Sequence, residues 1–142
     1  MTPVPRQGLP RWGKWLISIF FIGAVGTLIW SQLPRGAYST DLTRVGAGRP
    51  ALVLAYDINT MGGMAVMELM DSLRGEYTPR VELLVAALGE PGGFGFAQRY
   101  GAVNGTVMTF AGDGSHLRTI HLPASATVLR RALDEVVAGP TR

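Results

Sequence analysis

The 142-residue chain contains no cysteine. Disulfides, thiolate-ligated zinc and thiol nucleophiles are therefore excluded before any pattern is read. Two histidines, His116 and His121, are too few for a histidine-built metal site without other donors. No GxSxG elbow and no GK[ST] loop is present, so neither the serine hydrolase nor the P-loop arrangement has its residues. Basic surface is scarce where it would matter. Residues 1–49 hold six cationic side chains against one anionic, but residues 50–142 hold seven against nine. The positive balance sits in the N-terminal flanks, and nucleic acid is not an expected partner.

Charge is missing from one long stretch altogether. The 20 residues from Trp15 to Pro34 carry none. At 1.5 Å rise per residue such a run makes a helix of roughly 30 Å, the thickness of a bilayer's hydrocarbon core. Trp12, Trp15 and Trp30 lie near its ends, where indole rings favour the membrane interface. Arg6, Arg11 and Lys14 precede the run, which orients the N-terminus to the cytoplasm and exports the remainder. A cleaved signal peptide is the rival reading, but Leu33, Pro34 and Arg35 stand where small residues would be wanted. The expected organisation is a cytoplasmic tail over 1–14, a transmembrane helix over 15–34, a polar, glycine-containing linker over 35–49 and a folded domain over 50–142. The expected location is a bacterial inner membrane, crossed once, with the domain in the periplasm.

Within the domain, "PALVLAY" (50–56) reads as a buried strand and "GGMAVMELMDSLR" (62–74) as a helix stopped by Gly75. "RVELLVAAL" (80–88) reads as a second buried strand and "GEPGGFGF" (89–96) as a glycine-rich loop. A short helix over 96–102 and a third strand over 105–111 follow. "GDGS" (112–115) is a tight turn into a fourth strand over 116–122, antiparallel to the third. An amphipathic helix over 124–138 closes the chain. The expected fold class is α/β, a mixed four-stranded sheet flanked by helices. The odd separation of His116 and His121 places them on opposite faces of their strand.

This order of elements, and several local words, resemble the thioredoxin-like superfamily over about residues 50–138. "ALVLAYDINT" runs into "MGGM" where a thioredoxin strand runs into its Cys-Gly-Pro-Cys. "FAQRYGAVNGTVMTF", "AGDGSHLRTI" and "VLRRALDEV" are similar to the segment before the third strand, the hairpin and the last helix. The resemblance puts Met61 and Met64 at the two cysteine positions, with Gly62 and Gly63 between them. It puts Gly105 at the cis-proline, Ala55 at the buried acid and Thr60 at the tryptophan. A thioether has no proton to lose and cannot exchange disulfides. The chain is thus expected to be a membrane-anchored, redox-inactive member of this superfamily, not an enzyme, with no cofactor. Its expected role is an accessory, assembly or scaffolding subunit of a larger membrane complex, with the lipid bilayer as a second partner.

Met61, Phe94 and Phe96 are the expected protein contacts, as apolar side chains among glycines at one end of the fold. Met64, Met67 and Met70 are expected to pack inward. Two other functions stay open at this point. Thioethers are soft ligands, so a periplasmic copper chaperone is one; a redox-related enzyme that does without thiols is the other. Asp57 is expected to serve a turn or a helix cap.

Overall fold

The computed structural model describes residues 11–32 and 37–139. These fall into two compact units, Met1–Ala37 and Tyr38–Arg142. In the first, α1 (Arg11–Gln32) is a 22-residue helix. Its side chains at Trp12, Trp15, Leu16, Ile19, Phe20, Phe21 and Ile22 are exposed. Residues 1–10 of the expected tail (1–14), residues 33–36 and the side chain of Trp30 lie outside the described residues. Among the described residues, no helix is long and apolar enough to cross a membrane.

The second unit is built on a four-stranded mixed sheet in the order β2-β1-β3-β4. Its strands are β1 (Ala51–Tyr56), β2 (Glu82–Ala87), β3 (Thr106–Phe110) and β4 (His116–His121). β1 runs parallel to β2 and antiparallel to β3, and β3 is antiparallel to β4. Alternation along β1 sorts its side chains into two cores. Leu52 and Leu54 face α2 (Met61–Tyr77) and α4 (Ala126–Ala138), where they meet Val66, Met70, Leu73, Leu129 and Leu133. Ala51, Val53 and Ala55 face the other way, onto Ala97, Ala102, Met108 and Phe110 beside α3 (Pro91–Arg99). The α/β class and the mixed four-stranded sheet are as the sequence pattern implies.

Four local readings change. Gly75 does not stop α2. The helix runs on because Tyr77 continues the buried stripe of Val66, Met70 and Leu73 and inserts its ring into the core. The "GEPGGFGF" segment is not a loop: Pro91 opens α3, which covers most of it. Glycine in a helix interior costs about 1 kcal/mol against alanine, which is why the segment reads as loop. Packing overrides this, because α3 lies directly against the β2 backbone at Ala87, and only a glycine at 93 fits there. The two histidines share one face of the sheet. Thr106 pairs with His121 and Phe110 with His116, with an irregularity between Thr109 and Phe110 that leaves Leu117 as the additional residue. One additional residue shifts the alternation by one and cancels the odd separation.

The fourth concerns residues 37–49, expected as part of a linker. Ser39 forms a parallel bridge to Leu84, and the Tyr38 hydroxyl donates to Asp71 Oδ1 at 2.7 Å. Burial, and next the carboxylate that accepts this bond, push the Tyr38 pKa up. Leu42 and Val45 pack on the second core. Arg44 and Arg49 both reach Glu82, at 3.2 and 2.6 Å. The segment covers the outer edge of β2 with backbone and ion pairs together.

Tyr77 supplies a pH test. Burial, and next its hydroxyl's hydrogen bond to Asp134, raise its pKa from 10.0 to about 12. The unfolded phenol loses its proton near 10 while the folded one keeps it. Stability contributed by this group is therefore complete below pH 10 and is lost as pH rises toward 12. Chemical denaturation across that window is expected to show a shallower fall for Tyr77→Phe than for the wild type. An equal fall in both would remove Tyr77 as its source.

Candidate functional site

The loop after β1 and the loop before β3 meet at one end of the sheet. Asp57 Oδ1 accepts from the Asn59 backbone nitrogen at 2.9 Å and from Asn59 Nδ2 at 3.0 Å, which sets a tight turn. Asp57 thus serves the turn, while Thr60 holds the helix-cap position with its hydroxyl donating back to the Asp57 carbonyl at 3.3 Å and not capping the helix. The Asp57 backbone nitrogen donates to Asn104 Oδ1 at 2.9 Å and ties the two loops together. α2 then starts at Met61. A Cβ at Gly63 would lie 2.7 Å from Cδ2 of Tyr56 and inside the contact shell of the Asn104 side chain, so Asn104 sits directly on the helix start.

Gly105 closes the corner. Its nitrogen donates to the Ala55 carbonyl at 2.8 Å, and its carbonyl accepts from the Leu122 nitrogen at 3.1 Å. Its φ of +80° is a conformation that favours glycine. A Cβ there would stand 3.4 Å from the Gly62 carbonyl oxygen, so positions 62 and 105 face each other. No peptide bond among the described residues is cis. Leu122 lies across both glycines, its Cδ2 3.2 Å from a Cβ built on Gly62. Leu122 itself has φ +42° and is exposed. A left-handed non-glycine residue costs about 1–3 kcal/mol, and the proline that follows it disfavours helical backbone as well.

The side chains at this end are apolar and open to solvent. Met61 is 87% exposed, Ile58 78%, Val103 63%, Leu122 57%, and Met64 and Phe94 51% each. Phe94 and Val103 line a groove of about 370 Å³ with Leu88, Ala97 and Ala102, bordered by Asp57, Thr60 and Asn104. Of the three expected contacts, Met61 and Phe94 are at this surface. Phe96 is not. It is half-buried, with its ring 5.1 Å from Tyr100 and 5.6 Å from Phe110, because α3 turns it toward the second core. Met64 is also displaced from expectation, standing outward, while Met67 is half-buried and Met70 is buried. No sequence signal marks the side chains of Ile58, Val103 and Leu122 as exposed. Exposure leaves no mark on an isolated apolar residue in a loop.

The corner has little chemistry of its own. Its sulfur atoms are thioethers. Both histidines have side-chain partners: His121 Nδ1 lies 3.0 Å from Thr106 Oγ1, and His116 Nε2 lies 2.8 Å from Thr119 Oγ1 with its ring against Tyr100 and Phe110. No cluster of three or more His, Asp or Glu among the described residues could hold a metal ion. What remains is a shaped apolar surface around a glycine-lined corner.

No protein-family model matches the chain. No characterised protein matches it by sequence. Solved structures do match in shape. A thioredoxin of Malassezia sympodialis (Mala s 13) superposes with a TM-score of 0.58 at 17% identity, over 74% of this chain and 95% of that one. Trxlp of Edwardsiella tarda gives 0.56 at 14% identity, over 64% and 87%. Thioredoxin O2 of Arabidopsis thaliana, in its oxidized state, gives 0.54 at 13% identity, over 65% and 82%. The domain therefore has a thioredoxin-like fold, in a chain without the cysteines that thiol–disulfide exchange requires.

Proposed function

We propose that this protein is a membrane-anchored, redox-inactive interaction module, an accessory, assembly or scaffolding subunit of a larger membrane complex. The observation that carries the reading is the apolar end of the fold. Ile58, Met61, Met64, Phe94, Val103 and Leu122 are exposed around a corner of small residues, where another chain can approach the backbone closely. Six large apolar side chains at a single end are more than a solvated surface needs, and such side chains dominate binding energies when buried. Loss of thiol chemistry fits a domain kept for its shape.

The anchor rests on the sequence, through the uncharged run from Trp15 to Pro34, the tryptophans near its ends and the cations before it. In this reading the N-terminus is cytoplasmic and the domain faces the periplasm of a bacterial inner membrane. Tethering raises the effective concentration of the docking end near a membrane partner.

Met61→Asp combined with Phe94→Asp is the direct test. Both side chains are exposed, so circular dichroism should be unchanged. Losing a packed anchor costs about 2 kcal/mol, or roughly a 30-fold loss of affinity. Recovery of co-purifying proteins from gently solubilised membranes should fall accordingly. A folded double variant with undiminished recovery would move the interface away from this end.

A further inference from the structure

Nothing in the fold explains the sulfur atoms at the docking end. Six methionines occur in the chain, and the five among the described residues differ steeply in exposure. Met61 is 87% exposed and Met64 51%, whereas Met70 is 2% exposed and Met108 fully buried. Met67 is half-buried against the first core. Met61 and Met64 belong to neither core cluster. Leucine has the same helix propensity and nearly the same volume, so the fold would accept it at either position.

Unlike leucine, a thioether at the surface can be oxidised reversibly. In most proteins thiolates compete for oxidants, but here there are no thiols. The exposed thioethers are then the most accessible reduced sulfur in the domain.

We propose that Met61 and Met64 form a reversible oxidation site, with hydroperoxides as the oxidant class, and that oxidation turns the docking end off. The inference rests on the docking reading given above. In the step, the sulfur lone pair attacks one oxygen of hydrogen peroxide. An S–O bond forms, the O–O bond breaks, and the departing hydroxide leaves as water after the proton transfers. Sulfur loses two electrons and the peroxide gains them. A methionine sulfoxide reductase reverses the change with electrons from thiols. The sulfoxide is polar and must be desolvated on docking. The sulfoxide oxygen loses the water that donates to it when the surface is buried, and affinity is expected to drop about 10-fold.

The test uses the full chain in detergent, treated with hydrogen peroxide at a dose that leaves circular dichroism unchanged. Peptide mass spectrometry should find sulfoxide at Met61 and Met64 roughly 10-fold ahead of Met70 and Met108. Treated protein should recover about 10-fold less of the proteins that untreated protein recovers from solubilised membranes, and treatment with the two sulfoxide reductases should restore them. In Met61→Leu with Met64→Leu, treated and untreated samples should match each other, whatever their common level. Sulfoxide appearing equally at the buried methionines overturns the site. If Met61 and Met64 are oxidised without change in recovery, while Met61→Asp with Phe94→Asp does lower it, the switch fails and the docking reading stands. If neither treatment nor the aspartate variant has an effect, or if untreated protein recovers nothing, the docking reading fails and the switch falls with it.

Discussion

Phe110→Ala is expected to cost about 4 kcal/mol of unfolding free energy, within the usual 3–5 kcal/mol for a buried phenylalanine. The ring is fully buried. It packs edge-on to Phe96 at 5.6 Å and to Tyr100 at 5.1 Å, with His116 at 5.4 Å. Alanine removes the centre of that cluster. Its neighbours sit on three different elements, α3, β4 and the turn after α3, so no single movement can close the cavity. Domains of this size have 5–15 kcal/mol in total. The midpoint of thermal unfolding should therefore fall by roughly 15–25 °C. Phe110→Leu, which keeps most of the volume, should cost about 1.5 kcal/mol. Equal losses for the two variants would show that volume at this position is not what stabilises the second core.

Gly93→Ala should be the most damaging of the single-methyl additions, at about 3 kcal/mol. A Cβ at position 93 would stand 2.6 Å from the backbone nitrogen of Ala87 and closer still to its carbonyl oxygen. Both obstacles are main chain, held in β2 by pairing with β1. Neither can turn away as a side chain would, so α3 must lift off the sheet. Alanine's better helix propensity, about 1 kcal/mol, offsets only part of this. Gly92 and Gly95 supply the control on the same helix. A Cβ at either would meet nothing within 4 Å, so alanine there should stabilise by about 0.5–1 kcal/mol. Guanidinium denaturation of the three variants should give opposite signs. A neutral or stabilising Gly93→Ala would mean that α3 is not seated as closely as described.

This contrast also shows where sequence reading ends. β1, with its unbroken apolar run behind Pro50, and α4, with Leu129, Ala132, Leu133 and Val136 at helical spacing, declare themselves locally. The element order then implies the mixed sheet. α3 does not declare itself, because three glycines in nine residues argue against a helix while the reason for one of them lies on another strand. The bulge at Leu117 is invisible for a similar reason. It is a single additional residue with no composition of its own, yet it decides that His116 and His121 share a face. At the candidate site the topology sets Gly105 against Gly62 at the start of α2, between Met61 and Gly63. A loop over 89–96 would leave Phe96 outward, whereas the helical phase of α3 turns it inward. Ile58, Val103 and Leu122 depend on exposure, which emerges only when the chain is folded.

The segment at Tyr38–Arg49 has a mechanical meaning as well. A pull on the N-terminal side of the unit reaches Tyr38 and Ser39 before it reaches β1. It must first break the hydroxyl bond to Asp71 and the bridge to Leu84, and then the two arginine contacts on Glu82. These links are spread over α2 and β2, so the load divides between a helix and an edge strand and does not fall on the central strand alone. Under such a pull the segment's own links carry the load before β1 does.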